Sequence, residues 1–444
     1  MAKAPSWEMT LLKNKQGAYL PSLRNAVAIL THRKEWRNVI AYDAFAGVVV
    51  KRKTPPWAPD LVPQQEEPGD WSREDSIRTA CWITDEYNCD MKSHVVDEAV
   101  QVVGRLCEVH PVRDYLNSLK WDRKSRIDSL LIRVGGAADT PYVRAVTKNF
   151  FLGAIARIMR PGVQVDTVLI LEGVQGLGKS TLLRILASDE WFMDTIFNLG
   201  SKDGYQALRN KWIVEFSELE SLSRIEFSRA KAFISSVKDT YRQSYGRAAT
   251  DFLRQCVFAG TVNTGAGYLN DPTGARRFWP VTLTEKVDFK TVRSERDQLW
   301  VEAFVRYKNG EHWHLRDPKL LKAAAHEADE RREAHPWESF FRKWLAEHDR
   351  TKRGVTTVEL LTKASDMRKA DQDRAAQTEA GKALRTIGWT VVRRGADDIR
   401  RYFPGEKAAK ETIDHEIADV SSTSNTSNVK SRSRDIGKRR KKGS

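Results

Sequence analysis

The chain has 444 residues, of which 41% are hydrophobic and 30% are charged, a balance that supports two or three globular domains. It contains no apolar run of about 18 residues and no apolar signal region at the N-terminus, so we expect neither a membrane span nor a secretion signal. Its cysteines, Cys81, Cys89, Cys107 and Cys256, show no C-x-x-C spacing, which argues against a zinc site or a disulfide framework and fits a cytoplasmic protein.

The overall charge is basic. The formal net charge is +15 and the pI is about 9.5, which favours a polyanionic partner, most commonly nucleic acid. Part of this excess lies near the C-terminus, where Asp435 alone offsets the lysines and arginines between Lys430 and Lys442. The rest of the chain is still moderately basic, so a nucleic-acid partner remains the expectation.

Two regions precede the first strongly patterned strand. We interpret residues 1–104 as a mixed N-terminal module, with a proline-rich loop from Thr54 to Asp70 and helical apolar spacing over Arg73–Tyr87. Residues 105–164 read as a helical region. Its best amphipathic stretch is Tyr142–Met159, and Pro161-Gly162 ends it.

Residues 165–335 alternate short apolar runs with helical segments, the pattern of a parallel α/β sheet. The strands that we expect are Thr167–Leu171, Trp212–Phe216 and Cys256–Val262. Polar or glycine-rich residues follow each of them.

The first strand leads into a phosphate loop, Gly173-Val-Gln-Gly-Leu-Gly-Lys-Ser-Thr181. Gly173, Gly176 and Gly178 let the backbone turn its N–H groups towards phosphates, and the N-terminus of the helix that follows adds a positive dipole end. In this motif the lysine, Lys179, reaches the β and γ phosphates, and the hydroxyl of Ser180 holds Mg²⁺. We therefore expect ATP and Mg²⁺ to bind through residues 173–181.

Acidic residues end the second strand. Glu215 lies within it and Glu218 follows it, with Glu220 as a third candidate. Phosphate-loop enzymes need one acid near Mg²⁺ and one group to orient the attacking water. We favour Glu218 for the water and assign Glu215 to the metal, but the pattern alone leaves the two roles open.

Two further segments offer groups for the phosphates. The third strand closes on Asn263, which could bind the γ-phosphate or the attacking water, or could simply cap a turn. Arg276 and Arg277 precede another apolar strand. Either arginine is a candidate for a residue that acts on the nucleotide of a neighbouring subunit, with a local ion pair to Asp271 as the alternative.

The C-terminal part has the element order of a winged helix. Residues 336–405 give a helix beginning at Trp337, a helix over Val358–Lys363, a third around Glu379–Ile387, and a hairpin of Trp389–Arg393 with Ile399–Phe403. The hairpin carries cations suited to DNA phosphates, namely Arg393, Arg394, Arg400 and Arg401. Residues 406–444 are polar and basic, and we expect them to be disordered.

Several motifs in one order resemble the virulence-associated protein E family of phage and mobile-element replication proteins. Besides the phosphate loop they are His110–Asp122, Trp212–Leu219, Tyr241–Arg247, Gly260–Asn263, Asp271–Pro280 and Asp297–Ala303. The resemblance covers roughly residues 105–315.

The family core is similar to superfamily 3 helicases of the AAA+ class, which implies an ATP-driven, homo-oligomeric ring, a hexamer, on single-stranded or forked DNA in a bacterial host cell. Carried onto this chain, the resemblance implies that Glu215 or Glu218 is the catalytic acid and Asn263 the sensor of the γ-phosphate. It implies that Arg277 is the trans-acting arginine and that Arg247 is a functional cation towards DNA or a neighbouring subunit. Other replication proteins would be partners.

The sequence departs from the family at two points. Many relatives carry a primase domain ahead of this core, whereas residues 1–104 show no metal-binding Asp-x-Asp pair, so no priming activity is expected. The acid of the second strand is Glu215 where aspartate is commoner.

Three functions fit these features to different degrees. We favour a DNA helicase or translocase. The alternative is an ATP-switched replication initiator or helicase loader that remodels DNA without processive unwinding. A kinase or signalling ATPase without a nucleic-acid partner is disfavoured, because no motif for a small substrate accompanies the phosphate loop and the net charge is strongly positive.

Overall fold

The structure is a computed structural model that describes residues 7–58, 69–194, 201–217, 224–242, 249–263, 267–269, 277–332, 336–393 and 400–405, without the side chains of 224–228 and 392–393. The chain forms two compact units, residues 1–332 and 333–444. Of the residues predicted to have functional roles, five lie outside the described residues, as does the side chain of Arg393; the five are Glu218, Glu220, Arg247, Arg276 and Arg394. The predicted tail, residues 406–444, also lies outside them.

The first hundred residues form a small α/β module. Its elements are α1 (Leu23–His32), β1 (Ile40–Asp43), β2 (Val48–Lys51), β3 (Gly69–Asp70), α2 (Arg73–Tyr87), α3 (Ser93–Leu106) and β4 (Glu108–Val109). The strands make one sheet in the order β3-β2-β1-β4. A capping box starts α2, because the Ser72 hydroxyl accepts from the amide of Asp75 and the Asp75 carboxylate accepts from the amide of Ser72. Trp36 and Ile83 are buried in the module's own core.

Three helices connect this module to the main sheet. They are α4 (Pro111–Ser118), α5 (Leu130–Gly135) and α6 (Pro141–Met159). Both α4 and α6 begin with proline, which fits the first helical position because its missing N–H would have no partner there. Of the 18 residues of α6 after Pro141, 14 are buried and most of these are apolar, so this helix is buried on nearly all sides, rather than amphipathic as predicted, and forms much of the core of the unit.

The main sheet and its surrounding helices occupy residues 168–330. The elements are β5 (Val168–Glu172), α7 (Lys179–Ala187), β6 (Phe192–Met193), α8 (Lys202–Ala207), β7 (Ile213–Phe216), α9 (Arg224–Ser235), β8 (Lys238–Arg242), β9 (Ala249–Leu253), β10 (Val257–Val262), β11 (Phe278–Thr282), α10 (Phe289–Lys308) and α11 (Pro318–Glu330). Five described strands form the sheet in the order β11-β5-β10-β7-β6, and every pair in it is parallel.

Both faces of this sheet are covered. Leu169 and Leu171 of β5 point into the core built with α6, α7 and α10, whereas Val168 and Ile170 point into a second core with α9. This alternation follows from the two-residue period of a strand. A strand buried on both faces reads as a continuous apolar run, which is the pattern that identified it in the sequence.

The predicted strands of the parallel sheet are confirmed with their limits moved by one residue, and Tyr142–Met159 is confirmed as a helix. Two features were not predicted. One is the sheet of the N-terminal module. The other is the antiparallel hairpin of β8 and β9, which stands between β7 and β10 in the chain. Its base is held by a buried ion pair in which Arg254 donates to both carboxylate oxygens of Asp239, at 2.6 and 2.8 Å.

The second unit contains α12 (Pro336–Glu347), α13 (Thr357–Lys363), α14 (Arg374–Thr386), β12 (Trp389–Arg393) and β13 (Arg400–Pro404). The two strands pair as an antiparallel hairpin, and Tyr402 also pairs with Val355. Phe341 and Trp344 of α12 are buried in this unit's core, whereas Phe340 is exposed. The residues of the predicted turn, 395–398, lie outside the described part.

Across the described ranges, no helix combines the length and the apolar character needed to cross a bilayer.

Candidate nucleotide site

Polar side chains from three neighbouring strands meet at the carboxyl edge of the parallel sheet. The strand β5 ends at Glu172 and runs into the predicted phosphate loop. Its neighbour β10 carries Thr261 and ends beside Asn263, and the next strand, β7, carries Glu215. Because β10 lies between β5 and β7, its polar residues stand between the loop and the acid.

The loop is shaped by its glycines. Gly173, Gly176 and Gly178 have φ values of 145°, 88° and 92°, a region that other residues rarely adopt. A side chain at Gly178 would also collide with the ring of Phe289, since a Cβ atom there would lie 2.3 Å from its Cζ. Gly178 caps the N-terminus of α7, so the first N–H groups of this helix face the loop.

Lys179, the first residue of α7, is buried. Its Nζ donates to the carbonyl oxygens of Gly173 at 2.6 Å and Val174 at 3.1 Å, and lies 3.4 Å from Oδ1 of Asn263. The lysine that the motif assigns to the phosphates is therefore held across the mouth of the loop. The structure thus places Asn263 beside this lysine.

Ser180 and Thr181 follow in the first turn of α7. The Ser180 hydroxyl donates to Oε1 of Glu215 at 2.6 Å, and the Thr261 hydroxyl donates to the same oxygen at 2.6 Å. Oε2 of Glu215 is buried and has no hydrogen-bond partner among the described residues. Glu215 therefore reaches the phosphate loop from a strand two positions away.

This donor set fits Mg²⁺. The ion takes oxygen ligands, usually one or two carboxylates together with water and substrate phosphates. Ser180 and Glu215 supply a hydroxyl and a carboxylate within hydrogen-bond distance of each other, and one carboxylate oxygen is left over. Within the described ranges no group of three or more His, Cys, Asp or Glu side chains could hold a metal. Phosphates and water would have to complete the coordination.

Burial raises the pKa of the Glu215 carboxyl above its ordinary value, and the hydrogen bonds from Ser180 and Thr261 only partly oppose this effect. Asp194 adds a smaller upward contribution and Arg184 a downward one. The protein alone thus supplies too little positive charge near Glu215 to stabilise its ionised carboxylate. A divalent cation at Oε2 would supply it.

Arg277 lies at the amino ends of the parallel strands, opposite the end that carries the phosphate loop. It directly precedes β11, whose residues Phe278–Thr282 pair in register with Val168–Glu172 of β5. The length of these strands separates Arg277 from the phosphate loop by about 16 Å, at about 3.3 Å per residue. Its Nε lies 3.4 Å from Oδ2 of Asp166. Arg277 therefore cannot contact a nucleotide in its own subunit, and its ion-pair partner in the described structure is Asp166.

Sequence reasoning missed two parts of this site. Thr261 stands two residues before Asn263, so the strand period alone would have placed both on one face. Glu172 accepts from Tyr268, Thr282 and Arg331 directly before Gly173, and no sequence pattern joins these residues.

The residues predicted to contact nucleic acid belong to other segments of the chain. The last pair of the β8–β9 hairpin is Arg242 opposite Ala249, so residues 243–248, including Arg247, connect its strands. In the second unit, Arg400 pairs with Arg393 and Arg401 with Val392 across the β12–β13 hairpin. Arg400 is exposed and Arg401 is partly exposed.

Residues 116–335 match the profile of the Virulence-associated protein E-like domain. The chain belongs to the virulence-associated protein E family. The matched residues include the whole phosphate loop, Glu215, Asn263 and Arg277. No curated protein matches this member of the family.

Two solved structures are similar to part of this chain. Both are A-form apo structures of the NrS-1 C-terminal region, with 16% sequence identity, and both matches cover 65% of this chain and 78% of the other. The TM-scores are 0.38 and 0.34, too low for any functional assignment to rest on them.

Proposed function

We propose that this protein is a replication ATPase of phage or mobile-element type, which uses ATP and Mg²⁺ to drive a DNA helicase or translocase built as a ring. The observation that carries the proposal is the meeting of Lys179, Ser180, Glu215 and Asn263 at the N-terminus of α7. Membership of the virulence-associated protein E family supports the replication role.

Each residue has a distinct task in this proposal. The N–H groups at the start of α7 hold the phosphates, and Lys179 exchanges the carbonyls of Gly173 and Val174 for the β and γ phosphates. Ser180 and Glu215 bind Mg²⁺, directly or through water, and Mg²⁺ offsets charge on the phosphates. Asn263 contacts the γ-phosphate. Glu218 remains the candidate for orienting the attacking water, and Glu215 is the alternative.

The position of Arg277 supports a ring. A residue at the amino ends of the strands cannot contact a nucleotide bound at the carboxyl ends of the same sheet. It can contact the nucleotide bound to an adjoining subunit. Such head-to-tail contacts close into a ring when the rotation between subunits permits it. We propose a hexamer of the AAA+ class. The placement of β10 between the phosphate-loop strand and the acid-bearing strand supports this class.

Two basic features are proposed to contact DNA. The β8–β9 hairpin is an insertion between β7 and β10 whose connecting segment contains Arg247. The second unit has the element order of a winged helix, in which α14 with the basic hairpin of Arg393, Arg394, Arg400 and Arg401 would bind phosphates.

ATP turnover and strand displacement on a forked duplex test the function together. We expect single-stranded DNA to raise turnover and ATP to drive displacement. Lys179→Ala should abolish ATP binding, whereas Lys211→Ala, which removes a lysine bonded to the carbonyl of Glu190 outside the site, should retain it. Retention of labelled ATP by folded Lys179→Ala protein would refute the site.

The same assay separates the alternatives. Turnover that DNA stimulates without any strand displacement would favour the initiator or loader. Turnover that is indifferent to DNA at every salt concentration would favour an ATPase without a nucleic-acid partner.

A further inference from the structure

Glu172 is the last residue of β5 and directly precedes Gly173 of the phosphate loop. Its side chain is buried and accepts hydrogen bonds from Tyr268, Thr282 and Arg331 that define its position. The Tyr268 hydroxyl donates at 2.8 Å and the Thr282 hydroxyl at 2.7 Å. Arg331 donates through Nε at 2.8 Å and through Nη2 at 2.9 Å, a two-pronged pairing.

These bonds favour the ionised carboxylate. Burial alone would raise the pKa of Glu172, but the hydrogen bonds from Arg331, Thr282 and Tyr268 outweigh burial and hold the pKa below its ordinary value. Paired, charge-assisted bonds of this kind are strong and fix geometry as well as distance. The residue that directly precedes the phosphate loop, Glu172, is therefore held in place by the side chain of Arg331.

Arg331 stands where the first unit ends. It is the C-cap of α11, its carbonyl accepts from the amide of Leu269 at 3.0 Å, and Arg332 pairs with Leu269. Residue 333 begins the second unit. The segment that leads into this unit is thus joined to Glu172 and to residues 268–269, which lie between Asn263 and Arg277 in the chain.

The other side of the Glu172–Gly173 peptide is also held. The Gly173 carbonyl accepts from Lys179, and the Glu172 carbonyl accepts from the amide of Leu283 at 2.8 Å. Packing is tight, because a Cβ at Gly173 would lie 2.6 Å from the carbonyl oxygen of Leu283. When Lys179 turns to phosphates it must release Gly173, and any shift of Gly173 reaches Glu172 through one peptide bond.

We propose that Glu172 and Arg331 are positioning residues that couple nucleotide occupancy of the phosphate loop to the segment leading into the second unit. The proposal rests on the proposed ATP site and adds to it a route by which nucleotide state reaches the winged-helix-like unit. Neither residue is assigned contact with the reacting atoms. Their effect is on the geometry of Gly173 at one end and of residues 331–332 at the other.

Amide hydrogen exchange of the full chain, with and without a non-hydrolysable ATP analogue and Mg²⁺, tests the coupling. In the wild type, the amides of Leu269 and Arg332 should change exchange rate by about fivefold or more on nucleotide binding, the low end of typical couplings between sites. In Glu172→Gln and Arg331→Gln, nucleotide should still bind but this response should be lost. Arg331→Lys, which keeps the charge, should restore part of it.

Two control variants distinguish coupling from general loosening. Tyr142→Phe removes a buried hydroxyl close to the same network that makes no hydrogen bond within the described residues. Glu311→Gln weakens another two-pronged pair with arginine, Arg306, away from the loop. Both should keep the nucleotide response.

Each outcome decides between the hypotheses. Wild-type protein that binds the analogue without any change at Leu269 and Arg332 would overturn the coupling and leave the ATP site standing. Wild-type protein that fails to bind nucleotide would overturn the proposed function and the coupling with it. If Glu172→Gln does not fold, Tyr268→Phe removes one bond only, and an undiminished response in that variant would count against the coupling.

Discussion

Two buried glutamates at the same edge of the sheet are predicted to respond to the same substitution in opposite directions. Glu215 and Glu172 are 1% and 7% exposed, and each ends or nearly ends its strand. The pKa of Glu215 is raised by burial, whereas that of Glu172 is lowered because its hydrogen bonds outweigh burial. Replacing each with glutamine removes the charge and preserves the volume.

For Glu215 the folded protein favours the neutral carboxyl, so its ionised form costs stability once the pH rises above the ordinary value of 4.5. Glu215→Gln should therefore stabilise the protein in the absence of Mg²⁺ and nucleotide. The glutamine oxygen can still accept from Ser180 and Thr261. We expect a gain of about 0.5–2 kcal/mol, the common range for a single stabilising substitution. ATP turnover should fall to background, because the carboxylate at the metal is gone.

For Glu172 the expected change in stability on substitution by glutamine is a loss. Its stabilisation is fully present above the ordinary pKa of 4.5 and is lost as the pH falls through the lower pKa of the folded state. Glu172→Gln leaves Arg331 with no matching charge. Breaking a buried pair costs about 3 kcal/mol, the lower end of the range for removing one partner.

Thermal unfolding at pH 7.5 in EDTA, followed by circular dichroism, measures both effects. The unfolding midpoint is expected to be highest for Glu215→Gln, intermediate for the wild type and lowest for Glu172→Gln. Adding ATP and Mg²⁺ should raise the midpoint of the wild type and leave that of Glu215→Gln nearly unchanged. A Glu215→Gln midpoint clearly below the wild type would refute the reasoning from burial and show that Ser180 and Thr261 need a charged acceptor.

Three further predictions follow from single contacts. Arg277→Ala should retain ATP binding but lose ATP turnover. Mixing it with the Lys179→Ala variant should restore part of the turnover if each site is shared between two subunits. Turnover equal to that of the wild type in Arg277→Ala alone would refute the proposal that Arg277 acts on the nucleotide of a neighbouring subunit. Thr261→Val, which deletes one of the two donors to Glu215, should lower kcat with little change in the Kd for ATP, measured by steady-state kinetics and nucleotide titration. Arg400→Ala and Arg401→Ala should each weaken DNA binding and lower the slope of log K against log salt by about 1, whereas Arg368→Ala in the same unit, whose arginine pairs with Asp371, should not.

The sequence alone was enough to predict the main sheet and the phosphate loop, for a physical reason. A strand buried on both faces must be apolar over most of its length, as Val168–Leu171 is, and the glycines after it must adopt φ values that other residues avoid. Both requirements leave local marks in the sequence. The contact of Ser180 with Glu215 was not predicted, and it arises because the parallel strands β5 and β7 end at the same edge of the sheet.

The β8–β9 hairpin escaped prediction because its stabilising contacts are not local. Its exposed strands carry alternating polar residues, and the ion pair at its base joins Arg254 to Asp239 inside the protein. The N-terminal sheet escaped for a similar reason. Its central strand, Ile40–Asp43, is only four residues long and pairs with a two-residue strand from far along the chain.

The hydrogen-bond network at Glu172 shows most clearly what the sequence could not predict. Arg331 lies 159 positions further along the chain, within a helix end whose sequence, Asp-Glu-Arg-Arg, reads as a solvated surface. Only the pairing of β11 with β5 brings Thr282 beside Glu172, and only the contact of Leu269 with Arg331 turns the end of α11 towards the loop. A charged residue at the end of a buried strand needs a partner, so the sequence could have indicated that Glu172 has one. It could not have identified that partner as the residue next to the start of the second unit.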